Sequence, residues 1–353
     1  MADYHYMEVL MNKHRFVCVM VAILAIAVPL GAQGTKEQSP KELVVYAYDA
    51  FCGDWGPGPS IVENFEKETG IKVNLVSSGD GVEMMTKLIS EKNNPWADVV
   101  IGITDDMAQK IYDAKLLQPY ESPVLADIPS FLQFDAEHRL LPFDYGNFAF
   151  VVDTQAMKHE DIPTSLASLT DPKYKGKVIL IDPRTSSVGL GLLVWTVEVF
   201  GENGYLDWWK AMKENALTIT EGWSSAYGLF TEGEAPLVLS YTTSPVYHVT
   251  YEHTTRYQTT LFSEGHSTTI EGVGMLASST HKDAAKKFID YLLSQAQLSI
   301  ALANSMYPVN ARTVLPEAFD YAPKPEKNLS IPAETLAKNL DRWLTEWTQV
   351  MSR

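Results

Sequence analysis

Residues 43–102 read LVVYAYDAFCGDWGPGPSIVENFEKETGIKVNLVSSGDGVEMMTKLISEKNNPWADVVIG, and this stretch decides the fold. Leu43-Val44-Val45-Tyr46-Ala47-Tyr48 is a short apolar run of strand-forming residues. Pro59 to Thr69 sets Ile61, Val62 and Phe65 at helical spacing, and Gly70 stops the helix. Ile71 to Val76 reads as a second strand. Ser77-Ser78-Gly79-Asp80-Gly81 is a turn, and Val82 to Lys92 a helix with Met84, Met85, Leu88 and Ile89 inward. Ala97 to Gly102 is a third strand. The order β-α-β-α-β implies a parallel sheet with right-handed crossovers, an α/β protein.

Working outward, the second half repeats the style. Phe148 to Asp153, Lys177 to Asp182 and Pro236 to Tyr241 read as strands. Thr185-Ser186-Ser187-Val188-Gly189 leads into a helix from about Leu190 to Phe200. No long linker separates the halves. The expected crossings are Phe143-Asp144-Tyr145-Gly146 and Glu264-Gly265-His266. Two lobes follow: 41–143 with 266–310, and 144–265. Residues 311–353 form a C-terminal helical segment, whose stripe of Leu336, Leu340, Trp343, Leu344, Trp347 and Val350 packs on the lobes. Two α/β lobes joined by crossing strands leave a cleft, where ligands bind at the carboxyl ends of the strands.

The 353 residues hold 28 Lys+Arg against 44 Asp+Glu, a net charge of −16, which excludes a general grip on nucleic acid. Lys13, His14 and Arg15 precede an uncharged run from Phe16 to Leu30, with Gly31-Ala32 after it. This is the layout of a secretory signal peptide over 1–32, shorter than a bilayer span of roughly 20 residues. Gln33 follows, so there is no lipobox cysteine. Removal of the leader takes Cys18 and leaves Cys52 alone, so the exported chain has no internal disulfide.

Three loops follow strands. Tyr48 to Pro59 is dense in Gly and Pro and carries three aromatics and two acids. Ser77-Ser78-Gly79-Asp80-Gly81 and Arg184-Thr185-Ser186-Ser187-Val188-Gly189 each open a helix. Their Ser and Asp residues are helix caps by default, or part of an anion site built on free N–H groups. Neither is a Walker motif. Glu221-Gly222-Trp223-Ser224-Ser225-Ala226-Tyr227 and Tyr241-Thr242-Thr243-Ser244-Pro245-Val246-Tyr247-His248 set aromatics beside acids, a surface suited to a flat organic cation. His248 and His253 read as surface or turn residues.

On these residues the chain resembles the periplasmic thiamine-binding proteins of bacterial ABC importers. The matching stretches include Tyr46-Ala47-Tyr48-Asp49 with Asp54 to Pro59, Pro142 to Gly146, Asp182 to Ser186, Gly222-Trp223-Ser224, Leu237 to Pro245, Phe262 to His266 and Met306 to Val309. They run in order through residues 43 to 353. The resemblance implies a two-lobed type II binding protein, each lobe a mainly parallel sheet flanked by helices, that closes on thiamine, thiamine monophosphate or thiamine diphosphate. It implies ligand contacts from Asp80 and Gly81 on one lobe and from Ser186, Ser187, Trp223 and Tyr241, Thr242, Thr243 and Ser244 on the other. Tyr48, Trp55 and Tyr247 would line the cleft. Asp80 would meet the aminopyrimidine or the thiazolium, and Ser186 and Ser187 the hydroxyethyl or phosphate tail. A monomer would hand its ligand to a membrane permease with a cytoplasmic ATPase, with no cofactor, no bound metal and no chemistry performed. Ser305 stands where the family has a Trp, and Cys52 where a small non-thiol residue is usual. Two alternatives remain: a receptor of the same fold for iron or a polyamine, and a thiamine-cleaving enzyme using Cys52 as nucleophile.

Overall fold

A computed structural model describes residues 42–352; the expected leader over 1–32 and Cys18 lie outside them. Strand β1 (Glu42–Ala47) pairs in parallel with β2 (Lys72–Ser77) and β3 (Val99–Thr104). Helices α1 (Gly58–Thr69) and α2 (Gly81–Ser90) make the crossovers. The alternation of β1 sends Leu43, Val45 and Ala47 into one core and Tyr46 into another, so helices cover both faces of the sheet. Phe65 of α1, fully buried, meets Phe288 edge to face at 5.1 Å. Gly70 ends α1 in the left-handed region at φ 70°.

The middle of the molecule is one long strand, β4 (Leu141–Asp153), buried at all but one position. Beyond it lie β5 (Val178–Ile181), helix α3 (Ser187–Asn215, broken at Gly201), β6 (Ala216–Thr220), α4 (Trp223–Thr231) and β7 (Leu237–Tyr241). Strand β8 (His266–Leu276) then returns to the first sheet. The strand order is β2-β1-β3-β8-β4-β7-β5-β6. Leu141 to Asn147 of β4 pair with β8, and Phe148 to Val152 pair with β7, both antiparallel. Strand β5 is parallel to β6 and β7. Each lobe therefore has a parallel set of strands, with antiparallel β8 and β4 completing it. The crossing expected at Phe143–Gly146 lies in the interior of β4, which pairs with β8 before Phe148 and with β7 from Phe148 on.

The C-terminal helix α5 (Ala333–Met351) buries Leu336, Leu340, Trp343 and Trp347. Trp347 meets Trp209 of α3 edge to face at 5.6 Å. Its tryptophans are packing groups, as their spacing implies.

Candidate ligand-binding cleft

The cleft is made of the loops that leave the carboxyl ends of the strands. β1 delivers Tyr48, β2 delivers Asp80, β5 delivers Ser186 and Ser187, β6 delivers Trp223, and β7 delivers Tyr241 to Ser244. They surround a cavity of about 240 Å³. Eight of the twelve sequence-predicted residues line it: Tyr48, Trp55, Asp80, Ser187, Trp223, Tyr241, Ser244 and Tyr247. Four do not. Gly81 is covered by Ser187, whose Cβ would stand 2.8 Å from a Cβ added there. Ser186 is fully buried and caps α3, accepting from Val188 N at 3.1 Å and Gly189 N at 3.4 Å. Thr242 and Thr243 point into the protein; Thr242 N donates to Asn147 O, and Thr243 Oγ1 faces Met306 Sδ at 4.0 Å.

Asp80 does not present a free carboxylate. It is 7% exposed and sits where three helices begin. Gly81 N donates to its Oδ1 at 2.5 Å, Ser187 N to the same oxygen at 3.0 Å, and Trp223 N to Oδ2 at 2.9 Å. Burial pushes its pKa up, and these N–H groups push back. The carboxylate thus fills the anion site that the Ser186–Ser187 helix start was expected to offer a phosphate. Arg184 is no substitute, since it is exposed and forked onto Asp182.

Aromatic faces make the walls. Trp223 stacks on Tyr227 at 4.8 Å and leans on Trp55 at 5.8 Å. Its Nε1 donates to Ser240 Oγ at 2.9 Å, which fixes the ring. Tyr241 stacks on Phe148 at 5.2 Å. Tyr48 packs over Gly102, at φ 100°, where a Cβ would stand 2.3 Å from the Tyr48 ring. Tyr227 Oη bonds His248 Nε2 at 2.9 Å, and His248 Nδ1 bonds Glu252 Oε2 at 2.7 Å. His248 is therefore not a surface or turn residue; it is 1% exposed and lines the cavity.

Sequence reasoning missed Glu271, Asn304, His248 and Glu252 as lining residues, and named Tyr227 only within the aromatic stretch Glu221–Tyr227. Glu271 had a signal: it is the only acid in the run His266–Leu276. Burial and the nearby Asp80 push its carboxyl up to about 7, against a hydrogen bond from Tyr48. Among the described residues, no Lys or Arg lines the cavity, whose aromatic and acidic lining suits an aromatic cation.

Residues 94–339 match the family described as bacterial extracellular solute-binding protein. The chain belongs to that family. This solute-binding protein is 39% identical over 319 residues to a thiamine-binding periplasmic protein of Brucella melitensis, covering 90% of the chain and 94% of the relative. Its identity to the thiamine-binding periplasmic protein of Escherichia coli is 39% over 312 residues, covering 88% and 94%. A solved periplasmic thiamin binding protein superposes with a TM-score of 0.83 at 38% identity, covering 88% of this chain and 96% of that one.

The solute-binding protein keeps Cys52 away from the cavity lining. Burial, then the Asp49 carboxylate, pushes its thiol up to about 12, so it stays protonated at neutral pH. Among the described residues, no group of three or more His, Cys, Asp or Glu is placed to hold a metal ion.

Proposed function

We propose that this protein is an exported receptor that captures thiamine between its lobes and delivers it to an ABC transporter permease driven by an ATPase. One observation carries the reading: an aromatic-walled cleft with carboxylates at its floor and, among the described residues, no Lys or Arg in its lining. A thiazolium joined to an aminopyrimidine presents two flat rings and one positive charge, and this lining complements both. The names of relatives at 39% identity support the same ligand. They also support the periplasm as the site of action, reached through the 1–32 leader. The receptor acts as a monomer and performs no chemistry.

Thiamine monophosphate and diphosphate belong to the ligand set on the same reasoning. The rings carry the affinity, because the N–H groups at Ser187 and Trp223 are held by Asp80 and no lining cation is left for the tail. The three forms should bind within about tenfold of one another, a spread of about 1.4 kcal/mol. Mass spectrometry of the ligand released from purified protein tests the reading, with calorimetry on the three forms. Recovery of an iron chelate or a polyamine, with no heat on adding thiamine, would overturn it. Loss of the thiazole from bound thiamine, abolished in Cys52→Ser, would establish an enzyme instead.

A further inference from the structure

The floor of the cleft holds carboxyl groups without a counter-charge. Glu271 on β8 stands in register with Asp144 on β4. Glu271 is 6% exposed and Asp144 fully buried. Asn304 Nδ2 donates to Asp144 Oδ2 and to Tyr48 Oη, both at 2.8 Å. Asp144 Oδ1 and Glu271 Oε2 have no hydrogen-bond partner. No ion pair among the described residues involves Glu271, Asp144 or Asp80. A buried carboxylate left unpaired is costly, and such costs collect where a ligand relieves them.

The other acids of the lining are engaged. Asp80 is taken by backbone N–H groups, Glu252 by His248, and Asp49 by Ala50 N. Among the described lining carboxylates, Glu271 is the one with a buried oxygen that has no hydrogen-bond partner. On the reading that the ligand is thiamine, we propose that Glu271, backed by Asp144, forms the subsite that receives its positively charged ring. Tyr48 and Tyr241 flank that subsite with aromatic surface. Asp80 closes the cleft, and Glu271 reads the charge.

The subsite couples ligand charge to protons. The titratable groups facing Glu271 are Tyr48 after β1, Asp80 at the start of α2, Asp144 on β4 and Tyr241 at the end of β7. Asp105 and Asp106 follow β3, and Asp105 accepts from Ile270 N beside Glu271. All are acids or phenols, so the empty cleft favours the protonated form of Glu271. A bound cation favours the ionised form and expels a proton to solvent.

Calorimetry at about pH 6.5 in buffers of different ionisation enthalpy counts that proton. The ligands are thiamine and its uncharged thiophene isostere. Wild type should release protons with thiamine and none with the isostere. Glu271→Gln should abolish the release and weaken thiamine by at least about tenfold, but the isostere by less than about threefold. Asp144→Asn should show the same selectivity, which keeps the test sound if Glu271→Gln folds poorly. Thiamine binding without proton release, or equal losses for both ligands, would overturn the subsite and leave the receptor reading intact. Failure of wild type to bind thiamine at all would overturn the receptor reading and the subsite with it.

Discussion

Replacing Asp80 by Asn tests whether this carboxylate is a latch or a ligand contact. Asp80 belongs to the β2–α2 turn, and its partners Ser187 N and Trp223 N begin helices that follow β5 and β6. A hydrogen bond to a charged group contributes about 1.5–3 kcal/mol. An anion at a helix start adds about 0.3–1 kcal/mol for each helix. Asn keeps one acceptor oxygen, loses the charge and turns an NH2 toward one of the two N–H groups. One bond and the dipole terms of two helices are lost, about 2–5 kcal/mol, and relief of burying the charge leaves about 2–4 kcal/mol. On the proposed closure of the lobes, these bonds would join one lobe to the other, so the loss should fall on the closed state. Affinity should fall about 30- to 1,000-fold, since 1.4 kcal/mol is a decade. The fall should be the same for thiamine and for its uncharged isostere. Calorimetry with both ligands measures it, and scattering should show wild type contracting when loaded and Asp80→Asn contracting less. A loss confined to thiamine would refute the latch and return Asp80 to the ligand's charge. A change below threefold would make it a helix cap only.

Trp223→Ala should remove ligand-dependent quenching of tryptophan fluorescence and weaken thiamine by about 1–3 kcal/mol, from lost burial and cation–π attraction; affinity within threefold of wild type would make Trp223 a packing residue. Ser305 lines the cavity at φ 51°, and Ser305→Trp should selectively weaken the diphosphate by filling the room its longer tail needs; calorimetry showing equal changes for all three forms would mean that position 305 supplies general contact area. Glu271→Gln should stabilise the empty protein. Below about pH 4.5 the carboxyl is neutral folded and unfolded, so no difference is expected. As pH rises, the unfolded chain ionises freely while the folded one resists up to about 7. Wild type loses up to about 3 kcal/mol across that window and the variant does not. Melting curves at about pH 4 and pH 8 should therefore coincide at the lower pH and favour the variant by a few degrees at the higher; a variant that melts lower at both would refute the buried-charge account.

The strands and helices of residues 42–104 are legible because each buried run is short, apolar and punctuated by Gly or polar turns. Strand β4 is not. Asp144-Tyr145-Gly146-Asn147 has the composition of a turn, but it lies mid-sheet, with β8 and β7 taking its backbone groups in succession. Its burial comes from partners far along the chain, which no local pattern carries. The Gly-Trp-Ser and Tyr-Thr-Thr-Ser motifs are legible in the sequence, but not which of their side chains line the cavity: Trp223, Tyr241 and Ser244 do, and Thr242 and Thr243 do not. A turn aims alternate residues in different directions, so Tyr241 and Ser244 face the cleft while the two between them do not. His248 lies in a wide helical turn, His248–Glu252, that swings its ring inward onto Tyr227. A histidine among polar residues gives no sign of such a turn.

Asp80 and Glu271 separate two jobs by what surrounds each carboxylate. Asp80 is saturated with N–H donors and needs nothing from a ligand; its pairing rewards closure whatever the cleft contains. Glu271 has donors too few for its oxygens, and closing around a neutral molecule would bury it still unpaired. A flat uncharged ring can satisfy the aromatic walls and let Asp80 engage, yet it leaves that deficit standing. A cation removes the deficit and gains the walls as well. Affinity through Asp80 is therefore indifferent to charge, and discrimination arises at Glu271 through the penalty it imposes on the wrong ligand. The double variant Asp80→Asn with Glu271→Gln follows from this division. If closure and charge reading act separately, the two losses for thiamine add, and the neutral isostere loses only the Asp80 share. A double-mutant cycle with a coupling beyond about 0.5 kcal/mol would show instead that the two acids share one electrostatic task.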